Sequence, residues 1–338
     1  GAYSLDESEG AAKQIYLTFD QGYENGFTAP ILDTLKEKNV KADFLGLSRE
    51  LNGVPNGKPL PLSKKWVITI SSQYGCSMNC RFCCVPQVGP GRNATYADLN
   101  RQIIAAIGTE SCYKTERLNI HYARMGEPTF NRNVILHAYD LRHRLRWFVE
   151  AGTVHPVVST MLPRGNRELG DFLSDWCHIK NNPDLYDGEA GLQFSINSTC
   201  DEQRETMFSG NSLPLANIAA IGEALPMPKG RKYALNFALA DGCEIDAAKL
   251  KRWFDPEKFM VKITPMHNTG ACIRNGIRTT GGYEYFTPYQ AAEEALREAG
   301  FDVLVFIPSS DEDDGLITCG NAILSGTEPR VKHQTVEV

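Results

Sequence analysis

The chain lacks the apolar run that a membrane span requires, because none of its hydrophobic stretches approaches about 18 residues. Its first residues also lack the basic-then-apolar pattern of a secretory signal. It has no surplus of positive charge, since 35 Lys and Arg against 41 Asp and Glu give a formal net charge of −6. We therefore expect a cytoplasmic protein that has no membrane partner and no general nucleic-acid-binding surface.

Cysteine is abundant, and its distribution is uneven. Four of the ten cysteines fall between Cys76 and Cys84, and the other six are scattered singly along the chain. Single cysteines usually behave as small buried apolar side chains, whereas a tight cluster is more often a metal site. This arrangement favours metal binding in a reducing compartment over a disulfide framework.

Strand-like and helix-like segments alternate from Trp66 onward. The predicted strands are 67–71, 118–122, 156–160, 192–196, 233–239, 259–264 and 303–307, and the predicted helices are 95–107, 134–149, 167–176, 215–224, 246–254 and 287–298. Thr95 and Asp98 form a capping-box pattern at the start of the first helix. The alternation predicts an α/β fold of parallel strands, either an open sheet or a barrel, with its chemistry at the carboxyl ends of the strands.

The cysteine cluster reads Cys76-Ser77-Met78-Asn79-Cys80-Arg81-Phe82-Cys83-Cys84. The spacing Cys-x3-Cys-x2-Cys allows one short loop to bind three irons of a [4Fe–4S] cluster through Cys76, Cys80 and Cys83. In that chemistry the fourth iron is chelated by S-adenosylmethionine (SAM), and Phe82 is placed to pack against the adenine. The alternative is a zinc site that recruits Cys84 or His121 as its fourth ligand.

A glycine and a carboxylate follow the next predicted strand, in Met125-Gly126-Glu127-Pro128. Glycine permits a close backbone approach to a ligand. Glu127 could accept a hydrogen bond from the SAM ammonium. Taken alone, the motif is equally typical of an ordinary loop, but its place one βα unit after the cysteines favours a binding site.

These motifs occur together with several others in a fixed order along the chain. The further motifs are Ser71-Ser72-Gln73 before the cysteines, Arg92-Asn93 after them, Val158-Ser159-Thr160, Phe194-Ser195-Ile196-Asn197, Ile263-Thr264-Pro265-Met266-His267 and Thr318-Cys319-Gly320-Asn321. With them, residues 66–327 resemble the radical SAM methyltransferases of the RlmN/Cfr type, which act on RNA adenine. The resemblance covers about three quarters of the chain.

The resemblance implies a partial (βα)6 barrel and a set of cofactor-binding positions. By this match, SAM would be bound by Phe82, Gly126, Glu127, Ser159, Ser195, Asn197 and His267. Two positions depart from the family, which usually has His at position 197 and Asn at position 267. Both side chains present here can still form hydrogen bonds with SAM. The serines could equally be ordinary strand-end capping residues.

The resemblance also assigns a catalytic role to Cys319. In the family this cysteine is methylated by one SAM, and its methyl group then adds to an sp2 carbon of the substrate. The acidic segment Ser309–Gly315 before it suggests an exposed, mobile loop. The family's resolving cysteine is replaced by Thr69, whose hydroxyl cannot exchange with thiols. Cys84, Cys112 or Cys272 could substitute for it, or the reaction could end differently.

We therefore expect a methyltransferase that acts through Cys319 and takes electrons from a flavodoxin or ferredoxin. The acidic balance and the missing RNA-binding accessory domain disfavour RNA, so a peptide or small molecule is an alternative substrate, and we expect a monomer. Two other functions stay open. One is a radical SAM enzyme that abstracts hydrogen from a peptide or small metabolite, and the other is a non-catalytic metal-binding module.

The first 60 residues differ from the rest and precede a core domain of residues 61–338. Residues 15–44 resemble the start of a polysaccharide deacetylase (NodB-type) domain, with Asp20 matching that family's base. Gln21 replaces a metal-ligand aspartate, and the His-x3-His ligand pair is absent from the sequence. We expect an N-terminal extension, with a linker at 52–61, that has no deacetylase activity.

Overall fold

The computed structural model describes residues 61–110, 112–281, 287–308, 318 and 320–322. Its main sheet has seven parallel strands in the order β1-β4-β5-β6-β7-β8-β9. They are β1 (Lys65–Ile70), β4 (Lys114–Tyr122), β5 (Glu150–Thr160), β6 (Gly191–Ser195), β7 (Tyr233–Leu239), β8 (Phe259–Pro265) and β9 (Val303–Val305). Strands β2 (Gln73–Gly75) and β3 (Pro90–Asn93) form a separate antiparallel pair.

Helices connect the parallel strands. They are α1 (Tyr96–Thr109), α2 (Asn133–Leu145), α3 (Leu169–Asn181), α4 (Asp201–Met207), α5 (Leu215–Ala224), α6 (Ala247–Trp253), α7 (Gly270–Arg274) and α8 (Thr287–Glu298). In the described ranges β1 and β9 each pair on one side only, so the sheet curls without closing. The predicted partial barrel is confirmed, with β9 as a seventh strand.

Alternate residues of each strand pack against the helices. In β1 these residues are Trp66, Ile68 and Ile70, each at most 5% exposed, and in β4 they are Leu118, Ile120 and Tyr122. Full burial of each large apolar side chain contributes roughly 1.5–3 kcal/mol, so this layer supplies most of the stabilising free energy. The other strand residues line the concave inner surface of the sheet.

The elements predicted from Trp66 onward are all present, but some ends differ: β5 begins six residues earlier than predicted, α2 ends four residues earlier and α3 ends five residues later. Thr95 caps α1 as predicted, because its hydroxyl accepts a hydrogen bond from the Asp98 backbone N–H while the Asp98 carboxylate accepts one from the Thr95 N–H. The β2–β3 pair, α4 and α7 were not predicted. The predicted N-terminal extension, residues 1–60, lies outside the described residues. No helix in the described ranges is both long and apolar enough to cross a bilayer.

Candidate active site

The loop that carries Cys76, Cys80 and Cys83 follows β1 and β2 at the carboxyl edge of the sheet. Four of its carbonyl oxygens accept hydrogen bonds from side chains of other elements: Met78 from Asn211 (2.8 Å), Asn79 from Ser209 (2.6 Å), Arg81 from Asn275 (2.7 Å) and Phe82 from Thr269 (2.7 Å). Contacts with the α4–α5 connection and with α7 therefore define the shape of this cysteine loop.

The donor set of the cysteine loop fits an iron–sulfur cluster. All three thiols are partly exposed, and none forms a disulfide. The backbone of Gly91 lies close to Cys76, because a Cβ added at Gly91, whose φ is +92°, would lie 3.2 Å from the Cys76 Cα. In the described ranges no three Cys, His, Asp or Glu side chains converge on a point that suits one metal ion. The thiolates of a cubane bind separate irons, so this finding does not bear on a cluster.

Of the two alternative zinc ligands, Cys84 packs against Cys76 and Cys83 in one small apolar cluster. Cys84 is buried, and its sulfur accepts a hydrogen bond from the Ala271 backbone N–H at 3.2 Å. His121 lies within β4 on the inner surface, where it pairs with Thr69 of β1. Burial and then the positive charge of Lys262 lower the pKa of His121 to about 3. Its buried Nε2 has no hydrogen-bond partner among the described residues.

Phe82 already has an aromatic neighbour. Its ring packs edge-on against Phe208 with centroids 5.6 Å apart, and it borders two small apolar clusters that include Met161 and Met266. The Phe208 ring thus restricts the position of the Phe82 ring from one side. Whether adenine stacks on Phe82 stays a prediction.

Glu127 is 4% exposed and joins the ends of two strands. Its Oε1 accepts hydrogen bonds from the Thr129 N–H (3.1 Å) and hydroxyl (2.7 Å), and its Oε2 accepts one from the Met161 N–H (3.0 Å). Burial raises the pKa of Glu127, and these donors oppose that shift. The carboxylate therefore ties the loop after β4 to the end of β5, a structural role that the sequence did not predict.

Gly126 has a structural reason to be glycine that involves no ligand. Its φ is +94°, and an added Cβ would lie 2.5 Å from the Cβ of Gln73. Gln73 is buried and accepts a hydrogen bond from the Glu127 N–H at 2.9 Å, while its Nε2 donates to Asn93 Oδ1 at 2.7 Å. Contact with Gln73 thus explains why position 126 is glycine. The sequence had suggested instead that this glycine permits the close approach of a ligand.

The other predicted SAM-binding residues share the same edge of the sheet. Ser159 and Ser195 lie at the ends of β5 and β6, and His267 follows β8. Asn197 follows β6 with a φ of +60°, and its Oδ1 accepts a hydrogen bond from the Ala238 N–H of β7 at 3.0 Å. The fold brings the four residues to one edge. Their contact with SAM stays a prediction.

Cys319 itself and the preceding acidic segment 309–317 lie outside the described residues, but its neighbours are described. Thr318, Asn321 and Ala322 are each at most 4% exposed. The Gly320 carbonyl accepts a hydrogen bond from the Cys84 N–H at 2.7 Å, and Ala322 belongs to a buried cluster with Cys84 and Val85. The turn Thr318–Asn321 is therefore docked on the cysteine loop.

A cleft of about 490 Å³ opens beside this edge. Its lining includes Met207 of α4, Ala240 and Cys243 after β7, and Gly276, Ile277 and Arg278 after α7. Met207, Ala240, Cys243 and Ile277 belong to the apolar cluster that Phe82 borders. The cleft thus adjoins the cysteine loop and offers space for a substrate.

Two arginines near the site were missed by sequence reasoning. Arg124 donates hydrogen bonds to the Thr318 and Asn321 carbonyls. Arg204 is 2% exposed, and its guanidinium binds the carbonyls of Ile196 and Leu213. The one signal for Arg124 is a cation directly before Met125-Gly126-Glu127-Pro128. No pattern distinguishes Arg204 from a surface residue of α4.

Comparison with known proteins gives a consistent pattern over the core. Over 272 residues the chain is 26% identical to the dual-specificity RNA methyltransferase RlmN of Sorangium cellulosum (strain So ce56). This alignment covers 78% of the chain. The chain is similar to the RlmN proteins. The RlmN of Pelobacter propionicus is 24% identical over 86% of the chain and 78% of its own length. The chain spans 63% of the Sorangium RlmN, less than two thirds of that protein.

A solved radical SAM methyltransferase from Sphaerobacter thermophilus has the same fold. It superposes with a TM-score of 0.53 and 22% identity, covering 75% of this chain and 69% of its own. Residues 7–55 match the polysaccharide deacetylase family model, as the sequence suggested for this region. These residues lie outside the described part of the chain.

Proposed function

We propose that this chain is a radical SAM methyltransferase. When bound, a [4Fe–4S] cluster with SAM supplies reductive cleavage of the sulfonium, and an electron donor of flavodoxin or ferredoxin type would provide the electron. The observation that carries the proposal is the meeting of the cysteine loop, the Glu127 loop and the turn Thr318–Asn321 at one edge of an RlmN-like fold. A reducing cytoplasm suits such exposed thiolates.

Cys76, Cys80 and Cys83 would hold the cluster, because their partly exposed thiols share one externally braced loop. Glu127, Ser159, Ser195, Asn197 and His267 would bind SAM from the strand ends. Glu127 already accepts hydrogen bonds from Thr129 and the Met161 N–H, and the Thr160 side chain also interacts with it. The SAM ammonium would therefore share the Glu127 oxygens with these donors.

Cys319 would carry the methyl group. The turn that contains it is docked on the cysteine loop through Gly320, which supports a role next to SAM. Thr69 cannot resolve a covalent intermediate by thiol exchange. Of the three cysteines considered in its place, Cys112 precedes β4 at the opposite edge of the sheet, whereas the Cys84 backbone contacts the turn and Cys272 contacts the Phe82 carbonyl. Cys84 and Cys272 are therefore better candidates than Cys112.

Threonine at position 69 is also what favours the second candidate function, hydrogen abstraction without methyl transfer. In that reaction no enzyme–substrate thioether needs to be resolved, and Cys319 would donate a hydrogen atom or have no role. The two functions differ in one product, a methylated Cys319.

RNA is a candidate substrate because the relatives are named RNA methyltransferases. The net charge of −6 favours a peptide or small molecule over a large RNA.

The test is anaerobic reconstitution with iron and sulfide, followed by turnover with SAM and a chemical reductant. We expect about four irons per chain, release of 5′-deoxyadenosine and methylated Cys319 in the peptide mass spectrum. Cys76→Ala, Cys80→Ala and Cys83→Ala should each lose the cluster absorbance. Cys177→Ala is the matched control, because Cys177 is buried in α3.

The outcomes separate the candidates. One zinc with four protein ligands and no 5′-deoxyadenosine would support the metal-binding module. Release of 5′-deoxyadenosine with an unmodified Cys319 would favour hydrogen abstraction. Turnover against separate RNA, peptide and metabolite pools would then identify the substrate class.

A further inference from the structure

Arg124 links the loop after β4 to the turn Thr318–Asn321. One guanidinium nitrogen, Nη1, donates to the Thr318 carbonyl at 2.7 Å and to the Asn321 carbonyl at 2.9 Å. These two carbonyls flank Cys319 in sequence. The backbone of Arg124 is held too, because its N–H donates to the Ile70 carbonyl at the end of β1 at 3.1 Å. The backbone that carries the Arg124 side chain is therefore hydrogen-bonded to the end of β1.

Two further sets of hydrogen bonds hold the turn Thr318–Asn321. Within it, the Asn321 side chain donates to the Thr318 hydroxyl at 2.7 Å, and the Asn321 N–H donates to the Thr318 carbonyl at 3.1 Å. On its other side, the Cys84 N–H donates to the Gly320 carbonyl. The turn thus contacts the cysteine loop on one side and Arg124 on the other.

Glycine is required at the contact with the cysteine loop. Gly320 has a φ of +88°, and an added Cβ would lie 3.3 Å from the Phe82 carbonyl oxygen and 3.8 Å from the Cys83 Cα. Such closeness leaves little freedom for the turn to slide. The two Arg124 hydrogen bonds then hold the turn from its other side.

We propose that Arg124 is a positioning residue that holds Thr318 and Asn321, which flank Cys319 in sequence, beside the cysteine loop. Only two residues separate Arg124 from Glu127, so one short segment would set both the carboxylate and the turn that carries the methyl-carrying cysteine. Its two N–H groups on one nitrogen match the paired carbonyls, which a neutral side chain of similar length cannot do. The role in catalysis rests on the proposed function, whereas the role in holding the turn does not.

The experiment compares Arg124→Ala and Arg124→Lys with the wild type. Arg101→Ala is the matched control, because Arg101 is exposed on α1 and pairs only with Asp98 among the described contacts. The first readout uses protein without cofactors and measures hydrogen–deuterium exchange at the Asn321 and Cys84 amides. We expect about tenfold faster exchange in Arg124→Ala, an intermediate rate in Arg124→Lys and no change in the control.

The second readout uses reconstituted protein and measures the ratio of methylated Cys319 to 5′-deoxyadenosine. In Arg124→Ala this ratio should fall about tenfold or more, while iron content and the rate of 5′-deoxyadenosine release stay at the wild-type level. A purely structural defect would lower all three together. Arg124→Lys should recover part of the ratio, because its ammonium can bind a carbonyl.

The two readouts distinguish a failed inference from a failed function. Wild-type amide exchange in Arg124→Ala would overturn the positioning role, whatever the methylation result. Faster exchange together with an unmodified wild-type Cys319 would support the brace and refute methyl transfer through Cys319. Faster exchange with an unchanged methylation ratio would overturn the catalytic part of the proposal.

Discussion

Replacing Glu127 with alanine should cost both stability and SAM affinity. The carboxylate accepts three hydrogen bonds in a buried place, two from Thr129 and one from the Met161 N–H. A buried donor left without an acceptor costs about 1–3 kcal/mol. The Thr129 hydroxyl can rotate and water can enter the space, so we expect the free energy of unfolding to fall by about 3–5 kcal/mol.

Glu127→Gln separates the charge from the shape. Either the amide oxygen accepts from Thr129 and the NH2 group faces the Met161 N–H, or the amide oxygen accepts from the Met161 N–H and the NH2 group faces the Thr129 donors. One donor thus loses its acceptor, and we expect a loss of about 1–3 kcal/mol. Urea unfolding followed by the fluorescence of the buried Trp66 and Trp176 measures both losses. Glu150→Ala, which removes an exposed carboxylate paired with Lys114, is the control.

The pH dependence gives an independent check. Because burial raises the pKa of Glu127, the folded protein binds its proton more tightly than the unfolded chain does. The stabilising contribution of the protonated form is complete below the unfolded pKa, and it is lost as the pH rises through the folded pKa. Glu127→Gln, which has no titratable group at position 127, should remove this pH-dependent loss of stability. Glu127→Ala with a free energy of unfolding within about 1 kcal/mol of the wild type would refute the reasoning.

Three further predictions concern stability. Gly126→Ala should lower the free energy of unfolding by about 2–4 kcal/mol because the added methyl meets Gln73, whereas Gly108→Ala, which meets nothing within 4 Å, should not destabilise. Equal melting temperatures would contradict this. Arg204→Met should cost about 3–5 kcal/mol in urea unfolding, because the buried guanidinium binds several backbone carbonyls. A loss below about 1 kcal/mol would show that these bonds are readily replaced. Burial lowers the pKa of His155 to about 4. The contribution of neutral His155 to the free energy of unfolding is therefore complete above pH 6.5 and is lost as the pH falls towards 4. His155→Asn should flatten melting temperature against pH in that range, and an unaltered slope would assign the acid sensitivity to other groups.

Much of the fold follows from periodicity in the sequence. The helix Leu215–Ala224 and the strand Tyr233–Leu239 have the bounds that the pattern predicts, because apolar residues recur at one period and turn residues bound each segment. The strand Glu150–Thr160 is longer than predicted. Its first half is only partly buried and lacks an apolar run, and pairing with β4 keeps it extended.

Short elements and long-range contacts could not be predicted in this way. The five-residue helix Gly270–Arg274 is too short to show a period, and it is capped by the Thr269 hydroxyl. The donors to Glu127 and the partners of Arg124 come from residues 34 to 197 positions away or from an irregular turn. The motifs located the residues of the site, but only the tertiary structure gives their hydrogen-bond partners.

The bracing of the cysteine loop has a consequence for how the enzyme matures. Side chains of Asn211, Ser209, Asn275 and Thr269 hold its backbone, and none of these hydrogen bonds involves a thiol. We therefore expect that the iron and sulfide of the proposed cluster are inserted after the polypeptide has folded. A molecule whose inorganic centre is destroyed by oxygen should keep its shape and accept a new one, without passing through a denatured state.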